Sequence, residues 1–285
     1  GVVSAAGEQL SLIPIELPGP RLPHDMAITE HYSILMDLPV CVDTEALQRG
    51  RWRSVYRPEL GSRFAVIPRH GKAEDVRWFK AEPCYIYHVV NSWEEGDEVI
   101  MVAHKVAKPV ANSDESTASE FERMLQNLQM NAELWEWRFN LQTGETAERC
   151  LDTVNAEFPT TNPRDQGYPT RYGYAVTIGP LPTLRFDGIR KYDFASGEHQ
   201  DVRFGPGIYG SESPFAPSTV ATAEDQGYLL SFVQDELNER SELWIYDARN
   251  LQAGPCTRLA IPQRVPLGFH ACWVEGKDLK AKAPA

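Results

Sequence analysis

The chain repeats one pattern at a spacing of roughly 50 residues. A strand rich in aromatic and branched side chains runs into a turn with glycine at residues 134–145, 189–198 and 243–254. Several short strands in each period of about 40–50 residues are typical of β-propeller blades. The repeat predicts an all-β fold, with a β-propeller favoured and a β-sandwich as the alternative. At this blade length the chain holds five or six blades, and we expect about five, in one domain of residues 1–285.

One stretch, near residues 114–130, interrupts the β pattern. Phe121, Leu125 and Leu128 recur there at helical spacing, after a sequence with the form of a capping box. We predict a helical insertion between strands. It either packs on the β body as an ordinary amphipathic helix or covers a site.

Charge and cysteine usage exclude some classes of protein. The net charge of −12 argues against nucleic-acid binding, which needs clustered basic residues. The five cysteines are scattered and form no Cys-x-x-Cys pair, which favours reduced thiols and a cytoplasmic location. No apolar run reaches the about 18 residues that span a bilayer, so no transmembrane segment is predicted. Peripheral membrane contact and the oligomeric state are left open.

Three histidines occupy similar settings in separate repeats. His24 follows a proline and precedes a strand-like run, and His88 and His270 each end a run with aromatic and apolar residues. Equivalent inner strands of propeller blades meet near the axis, so these histidines are candidates for one metal site. Imidazole suits iron, zinc, copper and nickel, and the donor type alone does not choose among them. We expect His70 in a solvated turn and His104 on a strand face, neither as a ligand.

Two glutamates have surroundings that are costly for a lone carboxylate. Glu157 and Glu212 each lie near an aromatic residue and a proline. A metal-bound histidine almost always donates its other ring N–H to a carboxylate or carbonyl, so both glutamates are candidates for that role. The alternative for each is a carboxylate satisfied by backbone amides or, for Glu157, by Arg164 or Arg171.

Six segments of the chain resemble the carotenoid cleavage oxygenase family. This family includes apocarotenoid oxygenases, lignostilbene dioxygenases and the retinoid isomerase of the retinal pigment epithelium. The matching segments are residues 24–30, 87–96, 156–159, 210–215, 221–230 and 268–270. The resemblance extends over nearly the whole chain and is weakest in residues 40–75 and 105–133.

The resemblance implies a seven-bladed β-propeller with non-haem Fe(II) on its axis, bound by four histidines. It places His24, His88 and His270 as the second, third and fourth of these ligands. It also places Glu157 and Glu212 as two of the three glutamates that hold the histidine rings. The first histidine and first glutamate of the family lie upstream of His24. Residues 1–23 contain no histidine, so we expect the C-terminal part of a longer protein that binds iron weakly by itself, with a degenerate relative as the alternative.

The activity implied by the resemblance is cleavage of a conjugated carbon–carbon double bond by O₂ to give two carbonyl products. The substrate would be apolar, of apocarotenoid or stilbene type. Tyr87 and Phe269, each next to a matched ligand, are candidates for the substrate wall, with packing inside the propeller as the alternative. Two other functions stay open: an incomplete propeller that binds an apolar ligand or a protein partner, and a retinoid-type isomerase.

Overall fold

The computed structural model describes residues 1–109, 130–180, 183–266 and 268–279. Within these ranges the fold is almost entirely β, which confirms the predicted class. The predicted helical insertion near 114–130 lies, except for its last residue, outside the described residues.

The strands are short, as the sequence pattern predicts. The strands before residue 160 are β1 (Val2–Val3), β2 (Gln9–Ser11), β3 (Met26–Ile28), β4 (Tyr32–Asp37), β5 (Val40–Val42), β6 (Ser54–Tyr56), β7 (Ser62–Pro68), β8 (Arg77–Ala81), β9 (Tyr85–Glu95), β10 (Glu98–Val106), β11 (Glu133–Asn140) and β12 (Thr146–Asp152). The later strands are β13 (Ala156–Thr160), β14 (Tyr172–Ile178), β15 (Phe186–Asp193), β16 (His199–Arg203), β17 (Ile208–Tyr209), β18 (Phe215–Pro217), β19 (Gly227–Asp235), β20 (Arg240–Asp247) and β21 (Pro255–Ile261). The helix α1 (Thr44–Gln48) begins at Asp43, whose carboxylate accepts the N–H of Ala46 at 3.0 Å.

The chain divides into two compact units. The first comprises Gly1–Pro159, Asp165–Thr170 and Thr177–Arg185, and the second comprises Thr160–Arg164, Arg171–Val176 and Phe186–Ala285. The first unit contains two four-stranded antiparallel sheets, ordered β3-β4-β7-β8 and β12-β11-β10-β9. The second contains the antiparallel pair β15-β16 and a sheet ordered β17-β19-β20-β21, with β18 also paired to β19.

Each unit has an aromatic core. In the first, Phe64 of β7 packs against Trp137 and Phe139 of β11, with ring centroids 5.7 and 5.1 Å apart. These rings join the two sheets face to face, because alternate side chains of each strand point to the same side. In the second unit, Phe204 packs edge-on against Trp244 of β20 at 5.9 Å.

The glycines of the repeated pattern occupy tight turns. Gly144 and Gly197 have φ of 78° and 75°, and Gly254 has φ of 76°. This left-handed region favours glycine because a Cβ atom is disfavoured there. In two of these turns, the last residue of the preceding strand stabilises the turn with its side chain. Asn140 of β11 and Asp193 of β15 each accept the backbone N–H groups two and three residues ahead. Local sequence therefore defines these strand ends.

Candidate metal centre

His24 lies between Pro23 and β3 in a segment without regular secondary structure, and it is exposed. Strand β9 holds this segment on both sides of the histidine. The Tyr85 hydroxyl donates to the Leu22 carbonyl at 2.7 Å, and the Asp25 carboxylate accepts the Val89 N–H at 2.9 Å. His24 therefore lies two residues before β3, between two contacts with β9.

His88 lies inside β9, which continues to Glu95. The expectation that His88 ends its run was therefore wrong. The pairing of β9 with β10 shifts register on each side of Val89, since Asn91 lies opposite Val102 and Val89 opposite Ala103, whereas Ile86 lies opposite Lys105. Two residues, Tyr87 and His88, thus face the single residue between Ala103 and Lys105. Such a bulge bends the strand and redirects a side chain, and bulges are common next to active sites.

The bulge and the anchored segment bring two predicted ligands together. The rings of His24 and His88 have centroids 5.2 Å apart and planes at 78°. A ligand nitrogen of one lies within 4.8 Å of a ligand nitrogen of the other. Two imidazoles that bind one ion at about 2.1 Å each have nitrogens at this order of separation.

Glu157 of β13 binds the ring of His88. Its Oε2 accepts from His88 Nδ1 at 2.7 Å, and the Glu157 side chain is fully buried. A carboxylate only accepts, so Nδ1 carries the proton and Nε2 is the nitrogen that can bind a metal. The alternative partners proposed from sequence bind elsewhere: Arg171 pairs with Asp193 at 2.6 Å, and Arg164 lies 3.8 Å from Glu275.

Phe158 completes this arrangement. Its N–H donates to the same Oε2 atom of Glu157, and its ring lies 4.8 Å from that of His88. Phe158 is buried and has a φ of 50°, which is rare for a residue with a large side chain. Backbone in such sparsely populated regions is concentrated at active sites. Sequence reasoning missed this residue, since nothing in the local sequence signals a positive φ.

The second unit contains a corresponding pair. Glu212 Oε2 lies 3.2 Å from His270 Nδ1 and also accepts the N–H of Ala271 at 2.6 Å. The His270 side chain is 61% exposed, and the Glu212 side chain is 15% exposed. His270 follows β21 in a segment without regular secondary structure. The bond from the Ala271 N–H to Glu212 holds the residue that directly follows His270.

The two predicted wall residues differ in burial. Tyr87 is half-buried, with its ring 5.2 Å from that of His24, and burial raises the pKa of its hydroxyl. It is therefore neutral near pH 7 and presents an aromatic surface beside a candidate ligand. Phe269 is 54% exposed.

The remaining histidines lie in other environments. His104 is fully buried in β10, and burial lowers its pKa to about 3, so it is neutral at physiological pH. His70 is exposed in a turn, as predicted. His31 binds Glu94 at 2.9 Å, which raises the pKa of its ring.

The donor set fits a divalent transition metal. Neutral imidazoles suit iron, zinc, copper and nickel. Carboxylates on the Nδ1 atoms of His88 and His270 fix the ring tautomer and raise the basicity of the opposite nitrogen.

Comparison with known proteins identifies the family. A family model described as Retinal pigment epithelial membrane protein matches residues 1–275. The chain is 30% identical to the zeaxanthin 7,8(7′,8′)-cleavage dioxygenase of Crocus sativus, over 91% of this chain and 70% of that protein. The chain belongs to the carotenoid cleavage oxygenase family.

Further relatives are carotenoid 9,10(9′,10′)-cleavage dioxygenases. The protein from Phaseolus vulgaris is 33% identical over 99% of this chain and 54% of its own length. The protein from Crocus sativus is 34% identical over 98% of this chain and 53% of its own length. The chain thus spans about half the length of these relatives.

Solved structures of the family share the fold. The Pseudomonas brassicacearum lignostilbene dioxygenase matches with a TM-score of 0.84 at 26% identity, over 96% of this chain and 59% of that one. A variant of the Synechocystis apocarotenoid oxygenase matches in fold with a TM-score of 0.81 at 24% identity, over 94% of this chain and 56% of that one. These matches confirm the propeller type of the carotenoid oxygenases, whereas the number of blades stays a prediction. Among the described residues, no helix has the length and apolar character needed to cross a membrane.

Proposed function

We propose that His24, His88 and His270 bind one Fe(II) ion in a dioxygenase that cleaves a conjugated carbon–carbon double bond. The observation that carries the proposal is the buried bond between His88 Nδ1 and Glu157, at 2.7 Å. The same chemistry recurs in the second unit between His270 and Glu212. Two separate units thus each orient one histidine with a carboxylate, as expected of metal ligands. We likewise propose that residues 1–285 belong to a single propeller domain.

The bound iron would supply the activation of O₂ for addition across the alkene. The part of this chain is to hold neutral imidazoles in place and to moderate the charge of the centre. Glu157 and Glu212 place negative charge one ring away from the ion, where they stabilise the divalent cation without occupying its coordination positions. The buried position of Glu157 makes its interaction stronger than that of a solvated carboxylate.

The substrate in this proposal is an apolar conjugated molecule, either an apocarotenoid or a stilbene. The relatives are named as carotenoid-cleaving dioxygenases, and the matched structures include a lignostilbene dioxygenase. We assign Tyr87 and Phe269 to the wall that holds the conjugated chain, because aromatic faces contact such a chain without adding charge. Cleavage is favoured over isomerisation because these relatives are named for cleavage.

Metal titration tests the proposal. We expect the full chain to bind about one Fe(II) or Co(II) weakly under anaerobic conditions, as three histidines without a fourth imply, and to show a change in the Co(II) visible spectrum at saturating metal. His88→Ala should abolish that spectral change, because it removes one of the three proposed ligands. His70→Ala is the matched control, since His70 lies in an exposed turn. Equal binding by the chain and by His88→Ala would refute the assignment.

The reaction is tested by product analysis. We expect incubation of the iron-loaded chain with an apocarotenal or a hydroxylated stilbene, under O₂, to yield two aldehydes by mass spectrometry. Metal binding without any aldehyde would favour the incomplete propeller that binds an apolar ligand. A geometrically isomerised product of unchanged mass would favour the isomerase alternative.

A further inference from the structure

His24 and His88 come from different kinds of structure. His88 belongs to an eleven-residue strand, whereas His24 lies two residues before β3 in a segment without regular secondary structure. Two ligands of one ion must keep their spacing to within about 0.5 Å. The segment that contains His24 therefore needs a specific connection to β9.

Asp25 makes that connection. Its Oδ2 accepts the Val89 N–H at 2.9 Å, and its Oδ1 accepts the Met26 N–H at 2.7 Å. Asp25 directly follows His24, and Val89 directly follows His88. The carboxylate thus links the immediate neighbours of both ligands. Hydrogen bonds to an ionised acceptor are about twice as strong as neutral ones.

The irregular pairing of β9 explains why Val89 bonds to a side chain. The register between β9 and β10 shifts on both sides of Val89. Bulges disrupt the ladder of backbone bonds, and a backbone N–H removed from the ladder needs another acceptor. The same carboxylate that anchors the His24 segment therefore satisfies the strand distortion that redirects His88.

We infer that Asp25 is a positioning residue that sets the spacing of His24 and His88, an inference that rests on the proposed metal centre. Two other side chains of β9 also bind the segment: Tyr85 binds the Leu22 carbonyl, and Ser92 binds the Ile28 carbonyl at 2.6 Å. Both are neutral single bonds and lie farther from His24 in the sequence. They guide the course of the segment, whereas Asp25 alone among the three is bonded next to both ligands.

Co(II) affinity of the full chain provides the test. Asp25→Ala should weaken Co(II) binding at least about 10-fold, the size of effect seen when an outer partner of a metal ligand is removed. The Co(II) affinity of Asp25→Asn should lie between that of the parent and that of Asp25→Ala. The amide replaces one acceptor oxygen with a donor that faces a backbone N–H. Ser92→Ala is the matched control, since it removes one hydrogen bond from the same segment at Ile28, which is not adjacent to His24. Its Co(II) affinity should stay close to that of the parent.

A double-mutant cycle separates positioning from charge or general stability. If Asp25 acts through His24, then Asp25→Ala should cause no further loss of affinity in a His24→Ala background. A change in the melting temperature of the metal-free protein, with unchanged Co(II) affinity, would show a merely structural role and overturn the inference. A full additional loss in the His24→Ala background would overturn it as well.

The failures of the two proposals are distinguishable. If the unmodified chain fails to bind Co(II), the metal centre itself is refuted, and the role of Asp25 falls with it. If the unmodified chain binds Co(II) and Asp25→Ala binds equally well, only the positioning role is refuted.

Discussion

The two histidine–glutamate pairs show the same bond in different mechanical settings. In both, a single carboxylate oxygen accepts from a histidine Nδ1 and from one backbone N–H. For Glu157 that N–H belongs to the next residue, Phe158, so the glutamate is fixed by its own strand. For Glu212 it belongs to Ala271, which directly follows the histidine. The first glutamate is thus prearranged, whereas the second anchors the segment that it orients.

Burial strengthens this contrast. Glu157 is fully buried, and the side chain of His88 is 16% exposed, whereas the side chain of His270 is 61% exposed. Water and salt screen an exposed pair, so its bond contributes less than a buried one. A buried carboxylate that loses its partner is costly, since it is left without solvation. We therefore expect the first pair to dominate metal affinity.

The largest effect is expected at the buried pair. Glu157→Gln keeps the shape and one acceptor oxygen but removes the negative charge. We expect Co(II) affinity to fall about 10–100-fold, as for other outer partners of metal-bound histidines. Isothermal titration checks this, with Glu148→Gln, a carboxylate of the same unit paired with Lys105, as the charge control. An equal loss in both variants would mean that net charge, and not the bond to His88, sets the affinity.

Strand β10, which pairs with the strand of His88, contains the buried His104. We expect this histidine to make the stability of the fold depend on pH. Burial lowers the pKa of His104 to about 3, against about 6.5 when unfolded. The unfolded chain therefore binds more protons between these values, and stability falls as pH decreases from about 6.5 toward 3. Between pH 6.5 and 5 this amounts to at most about 2 kcal/mol.

Urea denaturation of the metal-free chain at pH 7 and pH 5 measures this term. The leucine of His104→Leu cannot titrate. The unfolding free energy of this variant should therefore change less between pH 7 and pH 5 than that of the parent. His199→Leu is the control, since His199 is exposed on β16. A pH dependence unchanged by His104→Leu would show that this ring titrates normally.

A smaller effect on metal affinity is expected at the exposed pair. Glu212→Gln should weaken Co(II) binding less than about 10-fold, because solvent screens the lost charge. Glu212→Ala removes the acceptor of the Ala271 N–H as well, so we expect faster hydrogen exchange at residues 268–275. If Glu212→Gln lost more Co(II) affinity than Glu157→Gln, the contrast between the two pairs would be reversed.

Local sequence predicted the features that depend on neighbours in the chain. The glycine turns of the repeated pattern, at Gly144 and Gly197, are present as expected. Each depends on a side chain that bonds to backbone a few residues away, or on the absence of a Cβ atom. Aromatic residues and prolines beside Glu157 and Glu212 made both glutamates candidates, and each lies within hydrogen-bonding distance of a candidate histidine.

Other expectations failed or had no local signal. His88 was expected at the end of a run and lies within β9 instead, and His270 lies outside any strand. The role of Asp25 and the positive φ of Phe158 had no counterpart in the sequence pattern. The cytoplasmic location and the identity of the metal as iron stay predictions.

The sequence by itself determined the all-β class, the repeat, the turns and the identities of the candidate ligands. These follow from short-range periodicity and from residue chemistry, which are present in the chain before it folds. Only the tertiary structure decided how His88 is turned, which acceptor the Val89 N–H has, and how strongly each glutamate is buried. These depend on the register between strands and on segments more than 60 residues apart in the sequence, namely 64 for Asp25 and Val89 and 69 for His88 and Glu157. Register is a property of paired strands, and no single stretch of sequence specifies it.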